Sequence, residues 1–150
     1  MKVNDIFDKM REMLGETTLT LPPESFKDMG AEIVDYVEGQ SIEVRIPLYE
    51  KYNNPAGFIL GGYLPVFFDL TFGPLSFLVA KKPATTLDLN TTFIRPLSVR
   101  DKEVIIKSSV VSKGRSYLIL DAQAFNLKND LIATATSRLQ IINYLVPKSG

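Results

Sequence analysis

The sequence contains no cysteine and no histidine, and its charges cancel, with 17 Lys plus Arg against 17 Asp plus Glu in 150 residues. Without cysteine there are no disulfides, no thiolate catalysis and no cysteine metal sites. Without histidine there can be no Ser-His-Asp triad, no histidine general base and few of the usual zinc sites. Any chemistry must come from carboxylates, hydroxyls, amides, Lys, Arg, Tyr or the backbone, and no metal or cofactor is expected. Zero net charge argues against nucleic acid as the main partner, since phosphate binding needs a basic excess or a strong basic patch. It leaves room for a small local site for a phosphorylated ligand. The N-terminal run Met1 to Met10 is charged throughout and lacks the apolar stretch of a signal peptide. The most apolar stretch, 58–80, holds Asp69, Pro65, Pro74 and three glycines, which makes it a poor membrane span. A cytoplasmic protein without a membrane span is the expectation.

What is present fits one domain. The length suits a single core, and 45% of the residues are apolar. Residues 4–14 read as a short amphipathic helix, with Ile6, Phe7, Met10, Met13 and Leu14 on one face, Asn4 or Asp5 as its cap and Gly15 at its end. Residues 15–25, with three threonines and two prolines, read as a loop. Two short strands follow, 31–38 and 41–47, separated by Glu38-Gly-Gln-Ser41 as in a hairpin. Residues 49–56 read as a loop, and the length and spacing of 60–80 favour a buried helix. From residue 84 the period becomes two. Four strands are expected, 84–95, 102–112, 115–126 and 131–142, with turn-compatible breaks at Arg95-Pro96, Lys113-Gly114 and Lys128-Asn129-Asp130. Adjacent strands joined by tight turns pair antiparallel. The expectation is an α+β domain, with residues 1–25 forming an N-terminal helix and loop. In the core, 26–142, an antiparallel sheet of about six strands wraps one long central helix.

The order of elements, with Asn54-Pro-Ala-Gly-Phe-Ile-Leu-Gly-Gly62 followed by Asp69, resembles the hotdog-fold acyl-CoA thioesterases, and within them the phenylacetyl-CoA thioesterase-like group. That group reads Asn-Pro-x-Gly-x-x-His-Gly-Gly and then an acidic residue in the central helix. Asn54, Pro55, Gly57, Gly61, Gly62 and Asp69 fall at matching spacing; Leu60 stands where the family has histidine. The strand Thr86 to Pro96 and the turn Gly114-Arg115 resemble their family counterparts, so the likeness covers about 30–142. It implies hydrolysis of acyl-CoA without a cofactor. The Gly61 amide would be the oxyanion donor and Asp69 the nucleophile or general base. Asn54 would orient water or the thioester, and Thr86 would assist the water. Gly62 and Leu60 would border the substrate. Read from the residues themselves, Phe67, Phe68, Phe72 and Phe93 suit an apolar or aromatic acyl group. Arg95, Gly114 and Arg115 would meet coenzyme A.

Thioester hydrolysis needs an oxyanion donor and a nucleophile or base at one carbonyl carbon. A helix N-terminus offers free amides and a favourable dipole, and glycine lets an acyl group approach them. Gly61 and Asp69 are eight residues apart, about 12 Å along a helix, whereas each must come within about 3 Å of the reacting groups. Two antiparallel helices from two subunits meet that demand. The expectation is therefore a homodimer with shared sites, with a dimer of dimers as a further arrangement.

Plainer readings stand beside these. Asp69 can be a solvated structural aspartate, the glycines a tight turn, and Asn54 a turn residue. Thr86 falls in the polar alternation of Asp88, Asn90 and Thr92. Phe67, Phe68, Phe72 and Phe93 can be core. Pro65 suits the first turn of a helix starting near Gly62, whereas Pro74 predicts a bend or break near residues 72–74 that widens an acyl pocket. With Leu60 in place of histidine, the alternative function is a non-catalytic acyl-CoA or acyl-ligand binder. A hotdog dehydratase or hydratase ranks last, because such relatives rely on histidine.

Overall fold

Alternation sets the sheet. Leu118, Leu120, Ala122 and Ala124, and on the next strand Ala133, Ala135, Ser137, Leu139 and Ile141, are all buried, as expected of a sheet with one face on a core. In the computed structural model, which describes residues 5–15 and 19–143, the six strands are β1 (Glu32–Val37), β2 (Ser41–Pro47), β3 (Ala84–Phe93), β4 (Glu103–Lys113), β5 (Tyr117–Phe125) and β6 (Leu131–Ile141). They form one antiparallel sheet in the order β1-β2-β4-β5-β6-β3. β1 and β3 are therefore its edges.

The sheet closes on helix α3 (Tyr63–Ala80), which touches β2 to β6. Phe67, Phe68, Phe72 and Leu75 are fully buried, and truncating one such phenylalanine to alanine would cost about 3–5 kcal/mol. By length and composition α3 is apolar enough to cross a bilayer, and 67% of it is buried inside the fold. Pro65 sits in its first turn, where no intrahelical partner is lost. Pro74 does not break it, as α3 runs without interruption from Tyr63 to Ala80. Near the proline, Thr71 Oγ1 donates to the Phe67 carbonyl at 3.0 Å and Ser76 Oγ to the Gly73 carbonyl at 2.7 Å. Lys81, at φ 60°, ends the helix.

Helix α1 (Ile6–Leu14) buries Ile6 and Met10, while Met13 faces solvent. Asp5 stands at its cap position but makes no side-chain cap bond, and Gly15 ends it with its amide on the Arg11 carbonyl. Asn4, the alternative cap, and residues 16–18 of the expected loop lie outside the described residues. The rest of that loop is corrected in one respect, because Glu24–Asp28 form a short helix, α2, that buries Phe26. Phe7 of α1 meets Phe26 edge-on at 5.1 Å, so the two N-terminal helices are packed as one unit against the core.

Candidate active site

The loop ahead of α3 is built by Asn54. Its side-chain oxygen accepts the amides of Ala56 at 2.9 Å and Phe58 at 3.1 Å, the Asx arrangement that lets asparagine organise a turn. Gly57, at φ +87°, supplies the left-handed residue the turn requires. The Asn54 amide donates to the Phe58 carbonyl at 2.7 Å, the Ile59 amide to Leu97 at 2.7 Å and the Leu60 amide to Tyr52 at 2.8 Å. Asn54 Oδ1 thus holds the loop, and only its side-chain NH2 is left to face a ligand. The expectation that Asn54 orients water or thioester is narrowed to that group.

This loop delivers Gly61 and Gly62 to the start of α3. Neither amide donates to an acceptor among the described residues, as at any first turn. Neither residue needs to be glycine for the fold. Gly62 has φ −61° and ψ −20°, and Gly61 is not in the positive-φ region. A Cβ at Gly62 would meet nothing within 4 Å, and one at Gly61 would make ordinary 3.6 Å contact with the Phe93 ring. The tight-turn explanation of the two glycines therefore fails, and their bare surface faces outward.

Two turns along α3, Asp69 is solvent-exposed. Thr86 Oγ1 donates to its Oδ1 at 3.3 Å, and both residues line one depression. Placing Thr86 in the polar alternation of Asp88, Asn90 and Thr92 is wrong, and the reason is a β-bulge. Thr86 stands opposite Leu139 and Asp88 opposite Arg138, so Leu87 is an extra residue. Cross-strand partners share a face. Thr86 therefore joins Leu89, Thr91 and Phe93 on the helix side, facing Asp69, while Asp88, Asn90 and Thr92 face away. Asp88 secures the bulge: its carboxylate accepts the Arg138 amide at 2.9 Å and Arg138 Nε at 3.0 Å. These two bonds hold its carboxyl below the usual range.

The remaining candidates divide between the ends of β3. Gly61 shares a second depression with Phe93 and Arg95, and Arg95 Nη1 lies 3.6 Å from Asp130 Oδ1. Gly114 and the exposed Arg115 lie in the β4–β5 turn at the other end, where Ser116 accepts the Ile141 amide opposite Ala84. A Cβ at Gly114 would meet the exposed Tyr117 ring at 2.3 Å, so a side chain there would make that ring swing aside. Phe68 and Phe72 are corrected: they are fully buried, stacked at 6.4 Å, and neither lines the Asp69 depression. Leu60 is 46% exposed. The sequence reading missed Pro23 and Gly73 of the Asp69 depression; the one available signal was a glycine inside an otherwise apolar helix. No group of three or more metal-binding side chains occurs among the described residues.

One chain thus presents two separate groups, a carboxylate with its hydroxyl and a pair of amides without an acceptor among the described residues. They are about 12 Å apart along the helix axis. A search of curated proteins returns no match. Solved structures share the fold. A thioesterase from Haemophilus influenzae has a TM-score of 0.78 at 18% identity, covering 97% of this chain and 94% of its own. The PaaI protein from the phenylacetic acid degradation operon of E. coli has 0.78 at 16%, covering 97% and 99%. A Streptococcus mutans protein bound to acetyl CoA has 0.71 at 19%, covering 88% and 99%. The six-stranded sheet around α3 is the hotdog fold of these proteins. The thioesterase superfamily profile matches residues 56–133, which run from the loop presenting Gly61 into β6, and the chain belongs to that superfamily.

Proposed function

We propose that the protein hydrolyses acyl-CoA thioesters at sites shared between two copies of the chain. The observation that carries this reading is the Thr86–Asp69 hydrogen bond at an exposed carboxylate, two turns from helix amides that no group among the described residues uses. Asp69 of one subunit serves with the Gly61 amide of the other. As general base, Asp69 takes a proton from water while the water oxygen bonds to the thioester carbon. The carbonyl electron pair moves onto oxygen, where the Gly61 amide and the helix dipole stabilise it. Collapse expels the thiolate, which recovers the proton from Asp69, leaving free acid and coenzyme A. As nucleophile, Asp69 bonds to the acyl carbon, the thiolate leaves, and water cleaves the resulting anhydride.

The edge position of β3 supports the dimer. One side of that strand is unpaired, and Leu87, Phe93 and Ile94 expose apolar surface along it. A second copy is a natural cover for such an edge. The acetyl CoA held by the Streptococcus mutans protein of the same fold supports coenzyme A as the carrier.

Release of free thiol from a panel of acyl-CoAs tests the reading, with Asp69→Ala expected to lose at least about a hundredfold. Unchanged turnover in that variant would remove Asp69 from the mechanism. A monomer in light scattering would remove the shared site. Leu60 favours a second reading, a non-catalytic acyl-CoA binder, since an exposed leucine brings no donor or acceptor to the loop. Ligand-dependent stabilisation without thiol release would select it.

A further inference from the structure

The depression that holds Asp69 does not end at the carboxylate. Its volume is about 520 Å³, and Pro23, Gly73, Pro74 and Ala84 belong both to it and to a second depression of about 240 Å³. The second is apolar, walled by Phe7 and Met10 of α1, by Leu21, and by Phe77 of α3. Asp69, Gly73 and Phe77 are spaced i, i+4, i+8, so they form one stripe on α3, with about 6 Å per step. Gly73 is the saddle between the two spaces. It is exposed, and a Cβ there would meet nothing within 4 Å. Glycine in mid-helix costs about 1 kcal/mol relative to alanine; here it spares the Pro74 ring the clash it would make with a Cβ on the preceding residue, and no residue across from it fills the space. The bare position leaves open surface between the two depressions.

We infer that the acyl tail of the substrate crosses α3 at Gly73 and ends in this apolar chamber, so that the N-terminal segment sets the length and bulk of the acyl group. The inference rests on the reading of Asp69 as the reacting carboxylate. An apolar protein cavity of about 150 Å³ holds benzene, so the chamber takes an aromatic ring or a medium-length alkyl chain. An apolar tail is favoured over a polar one, whose groups would face a mostly apolar lining. The wall is tied to the fold: Arg11 Nε donates to the Leu21 carbonyl at 3.0 Å, and Phe7 packs on Phe26.

Gly73→Ala and Gly73→Leu in the full chain test this, since they progressively fill the space, with thermal unfolding checking that the step before Pro74 accepts each side chain. Two readouts are needed: kcat/KM for acetyl-, octanoyl- and phenylacetyl-CoA, and affinity for the non-hydrolysable thioethers S-ethyl- and S-octyl-CoA. The wild type is expected to bind the octyl compound more than about tenfold tighter than the ethyl one, since each buried methylene contributes roughly fourfold. Gly73→Leu is expected to erase most of that gain and to lower the octanoyl-to-acetyl ratio of kcat/KM about tenfold, with Gly73→Ala in between. An unchanged ratio and unchanged octyl preference in a folded Gly73→Leu protein would overturn the inference while leaving hydrolysis at Asp69 standing. So would a wild type with no octyl preference. Chain-length-dependent binding without turnover of any acyl-CoA would do the reverse, sinking hydrolysis and keeping the chamber.

Discussion

Thr86 on β3 and Asp69 on α3, 17 residues apart in sequence, are joined by a single hydrogen bond of 3.3 Å in which the hydroxyl donates to the carboxylate. The bond orients the carboxylate without neutralising it, because a hydroxyl brings no positive charge.

Replacing Thr86 by valine keeps the shape of the side chain and removes the donor. Without the hydroxyl to orient the carboxylate, kcat for an acyl-CoA is expected to fall by about tenfold, roughly 1.4 kcal/mol of barrier, with Thr86→Ser recovering part of it. Melting temperature should hardly move, since both groups are exposed. Steady-state thiol release beside thermal unfolding checks this; full activity in the valine variant would show that Asp69 needs no orienting partner.

Gly61→Ala separates fold from chemistry. Space and backbone both accept a methyl group at this position, so stability is expected to stay level or rise by about 0.4–1 kcal/mol. On the proposed mechanism the methyl crowds the acyl group's approach to the Gly61 amide, so turnover is expected to fall by about a hundredfold. Urea unfolding and initial rates on one preparation measure both.

Tyr52 is buried against Tyr63 and Phe67 beneath the Asn54 loop. Its hydroxyl has no hydrogen-bond partner among the described residues. Burial, and then the neighbouring Tyr49, Asp28 and Tyr63, push its phenol above the ordinary value. Removing an unpaired buried polar atom relieves its desolvation penalty, so Tyr52→Phe is expected to stabilise the fold by up to about 1 kcal/mol in chemical denaturation. A loss of more than about 1 kcal/mol would mean that the hydroxyl is bonded in solution.

Asp88 gives the fold a sign-defined response to acid. Its carboxyl is lowered from the ordinary 3.8, chiefly by the Arg138 amide and then by the Arg138 side chain. Between the folded value and 3.8 the unfolded chain binds more protons, so stability rises with pH there. The contribution is present above 3.8 and is lost as pH falls through the folded value. Asp88→Asn should flatten the acid limb of a stability-against-pH curve and leave the alkaline limb alone.

Much of the architecture was readable because the signals were periodic. Alternation at Leu118 to Ala124 and at Ala133 to Ile141 marked the core strands, and the apolar run ending at Ala80 marked the helix. The separation of Gly61 and Asp69 along the helix was readable from their spacing, because helix rise is constant. What was not readable was non-periodic or long-range. The bulge at Leu87 depends on the partner strand β6, so plain counting put Thr86 on the wrong face. Phe68 and Phe72 have the composition of a ligand pocket, and only the closing of the sheet over α3 shows them to be core. Helix α2 is held by Phe26 packing on Phe7, a contact between elements that threonines and prolines disguise as loop.

The extra residue in β3 has a consequence for how the site tolerates changes in chain length. Leu87 and Asp88 together span the place opposite Arg138, so the strand carries one residue more than its partner can count. Deleting Leu87 would leave Thr86 opposite Leu139 and still turned toward Asp69. Straightening the bulge with every residue kept would present Leu87 to the carboxylate and send Thr86 to the far face. What the site conserves is thus a phase, and it would survive the loss of a residue better than the loss of an irregularity.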